Sequence, residues 1–145
     1  AEIARTAQAA GTRVRYLSDG DAVTAGDSTV FAMEAFAKGE ENHGLIYRLE
    51  ILGSSVLFAG SLEPCGARRL IWRGADISAD IVKVQNELSA EFFDCVSARI
   101  AVASGTETAA ALSATDTVYT TDAHGAVRIR IFRDGQIRVQ THRHP

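Results

Sequence analysis

The feature that most constrains the fold of this chain is an apolar hairpin over residues 45–63, with the sequence LIYRLEILGSSVLFAGSLE. Side chains alternate before a turn at residues 53–54, and a second apolar run, Val-Leu-Phe-Ala, stops at Gly60. This pattern predicts a strand, a tight turn and a second strand that ends in a loop. Because a glycine lets the backbone bend sharply, Ser61 is expected in a cleft beyond the strand end, where we expect any function to lie.

The segment before the hairpin predicts three short elements. Residues 1–11 are typical of the end of a helix that Gly11 terminates, and residues 12–17 alternate as a strand does. A turn at residues 18–21 precedes a further strand over residues 29–35.

After Pro64 the apolar period becomes helical, and helices then alternate with strands. The first predicted helix has apolar positions 67, 70 and 71 and ends at Gly74, and a strand over 81–84 follows it. The second helix is capped by Ser89, with Phe92, Phe93 and Val96 facing inward, and is followed by a strand over 99–103. The third helix is capped by Thr106 or Thr108 and runs to residue 112. This order implies parallel crossovers and a layered α/β arrangement.

The last part of the chain predicts an antiparallel hairpin whose register follows from parity. A two-residue loop would pair apolar with charged positions, whereas a three-residue loop over residues 133–135 pairs Ile131 with Ile137 and keeps one apolar face. This register sets Arg130 opposite Arg138 on the outer face, a like-charge pair that disfavours the hairpin unless water, salt or a bound anion relieves it.

Charge is distributed unevenly. The chain carries a net charge of −3, yet residues 126–145 contain five arginines and only one acid, Asp134. The C-terminal end is therefore a basic patch on an acidic body. Arg128, Arg130 and Arg138, on one outer face of the predicted hairpin, are candidate contacts for the phosphates of single-stranded DNA, and a solvated face without a ligand is the alternative.

Length and composition predict one soluble globular domain over residues 1–145. The 145 residues suffice for a core, and 46% hydrophobic with 23% charged residues is ordinary for globular proteins. No apolar run spans a membrane and no signal peptide is evident at the start. Cys65 and Cys95 have no CxxC spacing, which favours two buried or half-buried free thiols over a disulfide.

Common catalytic motifs, among them GxSxG, the P-loop, GxGxxG and HExxH, are absent from the sequence. Of the histidines, His142 and His144 point the same way if the last strand continues, which permits metal binding but is more typical of a polar tail. His43 and His124 lie in glycine-containing loops and are isolated in sequence.

Five segments resemble one known family: residues 41–49, 55–63, 79–84, 118–127 and, upstream, 11–35. They are similar, in order and spacing, to the metallo-β-lactamase-like domain at the C-terminus of ComEC-type competence proteins, and they match its C-terminal half. The resemblance implies half of an αββα sandwich, with a mixed sheet, antiparallel hairpins at both ends and helix-strand-helix crossovers in the middle.

The chain departs from that family at the metal-binding positions. Ser61 stands where the family has the aspartate that bridges two metal ions, and Gln85, Asn86 and Glu87 stand where it has Pro-His-His. The family's HxHxDH loop lies outside this chain. Because a neutral hydroxyl cannot replace a bridging carboxylate, we expect Ser61, Asn86 and Glu87 to be degenerate metal positions, with no metal, no cofactor and no catalytic residue.

The resemblance also implies a setting. We expect a non-catalytic, soluble domain attached to a bacterial cytoplasmic-membrane protein for DNA uptake, with a structural or DNA-contacting role. Its partners would be the rest of that membrane-embedded protein, single-stranded DNA and, for the isolated chain, a second copy that covers the exposed sheet face. The alternatives are a metal-dependent hydrolase or nuclease that binds Zn or Mn through other ligands, and an unrelated α/β binding domain.

Overall fold

The computed structural model describes residues 2–35, 45–60, 62–85, 87–105 and 114–142. The helices are α1 (Glu2–Ala9), α2 (Pro64–Trp72), α3 (Ala90–Val96) and α4 (Thr121–His124). The strands are β1 (Ala22–Ala25), β2 (Ser28–Glu34), β3 (Leu45–Ile51), β4 (Ser54–Gly60), β5 (Ile81–Val84), β6 (Ile100–Ala103), β7 (Thr117–Thr120), β8 (Ala126–Ile131) and β9 (Ile137–His142).

The main sheet contains seven strands in the order β1-β2-β3-β4-β5-β6-β7. Pairing is antiparallel from β1 to β4 and parallel from β4 to β7. This mixed α/β arrangement confirms the predicted fold class and its crossovers. The C-terminal hairpin, β8 with β9, does not extend this sheet but forms a two-stranded sheet of its own.

The β3–β4 hairpin confirms the strand-turn-strand prediction for residues 45–60, with the turn one residue earlier than predicted. Ile51 pairs with Ser54, so the turn residues are Leu52 and Gly53. Both have positive φ angles, 51° and 78°. Two successive residues with positive φ are typical of a type I′ turn, whose twist matches the twist of the flanking strands. This match favours a turn at residues 52 and 53.

The hydrophobic core lies between the sheet and the helices α2 and α3. Leu57, Val82 and Ala101 occupy one row across β4, β5 and β6 and are fully buried against helix residues such as Phe92. The rings of Phe92 and Phe93 meet edge to face, with centroids 5.5 Å apart. The Ser89 side chain accepts a hydrogen bond from the Phe92 backbone N–H, which confirms the predicted helix cap.

The opposite face of the sheet, called here the second face, is also partly buried. Ile81, Val56 and Ala32 point away from the helices, since neighbouring residues in a strand face opposite sides, yet each is at most 8% exposed. Tyr47 and Phe58 on the same face are 37% and 42% exposed. Something other than the helices must therefore cover part of the second face.

We infer that the β8–β9 hairpin contributes to that cover. It starts beside the edge strand β7, and at its tip Arg133 is bonded, at 2.9 Å, to Asp27 in the β1–β2 turn at the other edge. Seven strands span about 29 Å between edge strands, and an extended segment over residues 125–133 covers about 27 Å. The hairpin is thus long enough to reach from one edge to the other, and because the helices pack on one face of the sheet, we infer that it crosses the second face.

Two predictions for the N-terminal region and the cysteines are wrong. Residues 12–17 form no strand, because their backbone pairs with no neighbour in a ladder and Tyr16 is 75% exposed. Cys65 and Cys95 are free, as expected, but exposed rather than buried, because both lie on the outer sides of their helices. The helix predicted from Thr106 or Thr108 to residue 112 falls outside the described residues.

None of the helices within the described ranges has the length and apolarity that a bilayer crossing requires.

Candidate functional site

The parallel strands β4 to β7 bring four loops to one edge of the sheet, called here the carboxyl edge. Loops at the carboxyl ends of parallel strands are the usual place for ligand sites in α/β folds. The segments that follow the four strands are residues 61–63, 85–89, 104–105 and 121–125. The predicted positions Ser61, Asn86 and Glu87 belong by sequence to two of these loops.

Strand β4 ends in a sharp bend, as predicted. Gly60 has a φ angle of 52°, and the Leu62 backbone N–H donates a hydrogen bond of 2.8 Å to the Ala59 carbonyl. The pairing with β5 shifts register between Phe58 and Gly60, and such bulges are common where a strand end redirects side chains. Ser61 itself lies outside the described residues.

The loop after β5 contains the second group of predicted positions. Gln85 and Glu87 are exposed, and Asn86 lies outside the described residues. Leu88 is 2% exposed and anchors the loop before Ser89 caps α3. Of the three predicted metal positions, the structure therefore describes only Glu87, a single carboxylate facing solvent.

The loop after β7 holds a polar cluster that the sequence analysis did not identify. Thr120 is 3% exposed, and its hydroxyl accepts a hydrogen bond of 3.2 Å from the Ala123 backbone N–H. The Thr120 N–H lies 3.1 Å from Nδ1 of His124, whose ring packs edge to face on Tyr119 with centroids 5.4 Å apart. The Thr120 carbonyl lies at the same 3.1 Å from Nδ1, so this nitrogen accepts from the N–H in one tautomer and donates to the carbonyl in the other.

A contact between neighbouring loops fixes this cluster at the carboxyl edge. The backbone N–H of Gly105, after β6, donates a hydrogen bond of 2.9 Å to the Thr121 hydroxyl, after β7. The sequence signal for the cluster is the spacing of Thr120 and His124, four residues apart across one helical turn, which places the two on the same side of α4.

The side chains at positions 61 and 86 do not fit a dinuclear metal centre. Such a centre needs anionic oxygens and imidazoles that hold two dications about 3.5–4 Å apart. Position 61 supplies a hydroxyl and position 86 an amide. Across the ranges that the structure describes, no three His, Cys, Asp or Glu side chains come together to hold a metal.

The β8–β9 hairpin carries the predicted basic face. Its register confirms the parity argument: Ile131 pairs with Ile137, and Arg130 lies opposite Arg138. Arg128, Arg130 and Arg138 are all exposed on that face. The Arg138 guanidinium donates to Gln136 Oε1 at 2.7 Å and lies over the Phe132 ring, 5.1 Å from its centroid.

The predicted pair of histidines, His142 and His144, is only partly within the described residues. β9 extends through His142, while His144 is outside the described residues, as is His43.

At the opposite, amino edge of the parallel strands, Asp80 joins three segments. Its carboxylate accepts hydrogen bonds from the Ser55 backbone N–H at 2.8 Å, the Ser55 hydroxyl at 3.1 Å and the Arg99 guanidinium at 2.9 Å. Burial of the carboxyl raises its pKa, but these bonds outweigh burial and hold the pKa of Asp80 below its ordinary value. The network is structural, since it ties β4, β5 and the α3–β6 loop together.

A second carboxylate, Asp19, ties the N-terminal loop to α2. It accepts a bidentate pair of 2.9 Å bonds from Arg73 and a 2.8 Å bond from the Glu34 backbone N–H. The hydrogen bond from Arg73, followed by that from Glu34, lowers the pKa of Asp19. Asp19 and Arg73 line a cleft of about 530 Å³, and in this cleft the Arg48 guanidinium lies over the ring of Phe31.

Comparison with known proteins identifies the fold. No family model matches the sequence, and no curated protein matches it significantly. Seven solved chains match, among them the metallo-β-lactamase fold protein YhfI from Bacillus subtilis, with a TM-score of 0.53 and 10% sequence identity. The match covers 75% of this chain and 53% of YhfI, so the chain spans about half the length of that protein. The described residues therefore form a metallo-β-lactamase-like half-sandwich.

Proposed function

We propose that this chain is a non-catalytic, metallo-β-lactamase-like module of a membrane-embedded DNA-uptake protein of the ComEC type, with a structural or DNA-contacting role. Three features support the proposal: the fold, the segments that resemble that family, and the basic face of the β8–β9 hairpin. The donor chemistry at positions 61 and 86 supports a role without metal-dependent hydrolysis.

The observation that carries the DNA-contacting role is the arrangement of Arg128, Arg130 and Arg138 on one exposed face. None of the ion pairs between described residues involves them. Because like charges directly opposite each other repel, Arg130 and Arg138 gain from a bound anion. A row of phosphates supplies such anions, and arginine binds phosphate strongly.

The test is a titration of the chain with a fluorescently labelled oligo-dT at about 50 mM salt. We expect binding whose logarithm falls with the logarithm of salt, by about 0.7 for each phosphate contacted. The double variant Arg128→Ala/Arg130→Ala should weaken binding. The charge-matched control, Arg5→Ala/Arg13→Ala, changes two exposed arginines outside the hairpin and should bind as the parent does. Absence of salt-sensitive binding would overturn the DNA-contacting role.

The alternative function, a metal-dependent hydrolase or nuclease with other ligands, has its own test. Elemental analysis of protein purified without chelator separates the two functions. Stoichiometric Zn or Mn would favour the hydrolase, and a metal content near zero would favour the non-catalytic module.

The exposed part of the second face supports a partner surface. Tyr47 and Phe58 are 37% and 42% exposed there, although Val56 and Ile81 on the same face are buried. We propose that the rest of the DNA-uptake protein covers these side chains in the full protein and that a second copy covers them in the isolated chain. Analytical ultracentrifugation should detect a dimer, and a monomer stable to dilution would contradict this.

A further inference from the structure

The outer side of α2 carries an aromatic side chain that packing does not explain. Trp72, the single tryptophan of the chain, is 82% exposed at the end of the helix. Large aromatic side chains are usually at least partly buried, and an exposed one often marks a contact surface. The core does not use Trp72, since α2 packs inward through Ala67 and Leu70 instead.

Two unpaired arginines accompany this tryptophan. Arg68 and Arg69, one helical turn before Trp72, are exposed, and none of the ion pairs between described residues involves them. Together with Cys65 they line a recess of about 350 Å³ beside the indole. We call these four residues the Trp72 face.

We propose that the Trp72 face binds single-stranded nucleic acid. The indole offers a flat surface on which an unpaired base stacks, and the two guanidinium groups contact the phosphates that flank it. Exposed aromatic rings beside arginines form the usual platform for single strands, because every base has a stacking surface. The positive charge is local, since the chain as a whole carries a net charge of −3.

The same residues fit a lipid surface less well. A helix that lies in a membrane interface needs a continuous apolar side, with several large side chains entering the lipid. On α2, Leu70 is buried and Ile71 is half-buried, so Trp72 is the large apolar side chain that remains exposed. One indole between two arginines favours stacking on a base over insertion.

The Trp72 face is distinct from the basic hairpin. Trp72 and its two arginines lie on helix α2, whereas the basic hairpin forms a two-stranded sheet of its own. The inference therefore goes beyond the proposed function and does not depend on it. Binding at the two surfaces is separable by experiment, because Trp72 lies at only one of them.

The test uses the intrinsic fluorescence of Trp72 in the full 145-residue chain. Oligo-dT should quench this fluorescence in a saturable manner, with an affinity that falls as salt rises. The charge-reversal variant Arg68→Glu/Arg69→Glu keeps the indole as a reporter and should lose most of the quenching. The matched variant Arg5→Glu/Arg13→Glu should be quenched as the parent is.

A second measurement isolates the indole. In anisotropy titrations with labelled oligo-dT, made in the Arg128→Ala/Arg130→Ala background so that the hairpin contributes little, Trp72→Ala should weaken binding about five-fold or more. Because Trp72 is 82% exposed, the variant should fold, and circular dichroism checks this. Unchanged Trp72 fluorescence at saturating oligo-dT would overturn the proposal. A blue shift with phosphatidylglycerol vesicles and no response to oligo-dT would also overturn it, in favour of a membrane contact.

Discussion

Arg130 lies directly opposite Arg138 on the exposed face of the β8–β9 hairpin. Two like charges in this position repel, so the hairpin is less stable than its apolar face alone would make it. We expect Arg130→Glu to raise the free energy of unfolding by roughly 0.2–1 kcal/mol, because it converts the pair to opposite charges. Urea denaturation at low salt measures the difference, which should shrink at high salt.

Arg128→Glu is the matched control, since it makes the same change in net charge opposite the neutral Gln140. It should stabilise less than Arg130→Glu. An equal gain from both variants would mean that overall charge, rather than the opposed pair, limits stability.

The turn between β3 and β4 places a leucine in a conformation that leucine disfavours. Leu52 has a φ angle of 51°. Asparagine tolerates this conformation better and is preferred at this turn position, so Leu52→Asn should stabilise the chain by up to about 1 kcal/mol. Thermal denaturation provides the measurement.

The neighbouring substitution Gly53→Ala should act in the opposite direction. Gly53 has a φ angle of 78°, and a Cβ in this conformation costs about 1–2 kcal/mol.

If Leu52→Asn proved destabilising, the partial burial of Leu52 would outweigh its backbone strain.

The Asp80 network predicts how stability depends on pH. The pKa of Asp80 is lower in the folded chain than in the unfolded one, where it is about 3.9. Its contribution is therefore fully present above the unfolded-state value and is lost as pH falls through the folded value. The free energy of unfolding should hold steady above about pH 5 and fall below about pH 4.

Asp80→Asn should reduce this acid-dependent loss and should lower stability at pH 7. The loss at pH 7 should be about 1.5 kcal/mol, at the low end for hydrogen bonds to a charged group, because the side chain is 31% exposed. Ser55→Ala removes the hydroxyl partner but keeps the backbone N–H, and should give an intermediate result. An unchanged acid profile in Asp80→Asn would contradict the assignment.

Two phenylalanines test the division between core and second face. Phe92 is 0% exposed and Phe58 is 42% exposed. Phe92→Ala should cost about 3–5 kcal/mol of unfolding free energy, whereas Phe58→Ala should cost well under half as much. Chemical denaturation compares them. Similar losses would mean that the second face is packed as tightly as the helix face.

Several elements could be predicted because their determinants are local. The alternation of residues 126–131 and 137–139 allows a single register that keeps the apolar side chains on one face, and that register is observed. Ser89 and the apolar spacing of Phe92, Phe93 and Val96 define α3 in the same way. Pro64 and Gly74 bracket α2.

Other elements could not be predicted because a strand depends on a partner. Residues 12–17 alternate as a strand does, but no neighbouring strand pairs with their backbone. The opposite holds for β1 and β7, four residues each, which were not predicted: they are strands because β2 and β6 lie beside them. The cluster of Thr120, Thr121 and His124 also depends on a neighbour, since the hydrogen bond from Gly105 comes from another loop.

The sequence by itself determined the two hairpins, the helices that cover one face of the sheet, and the hydroxyl and amide that stand at positions 61 and 86. These follow from side-chain periodicity, caps and residue identity, which act over a few residues. Only the tertiary structure decided that the tip of the C-terminal hairpin reaches Asp27 at the far edge of the sheet, that Asp80 holds Ser55 and Arg99, and that Trp72 faces solvent. Those outcomes depend on which surfaces meet across the sheet, because burial is a property of the packed layers.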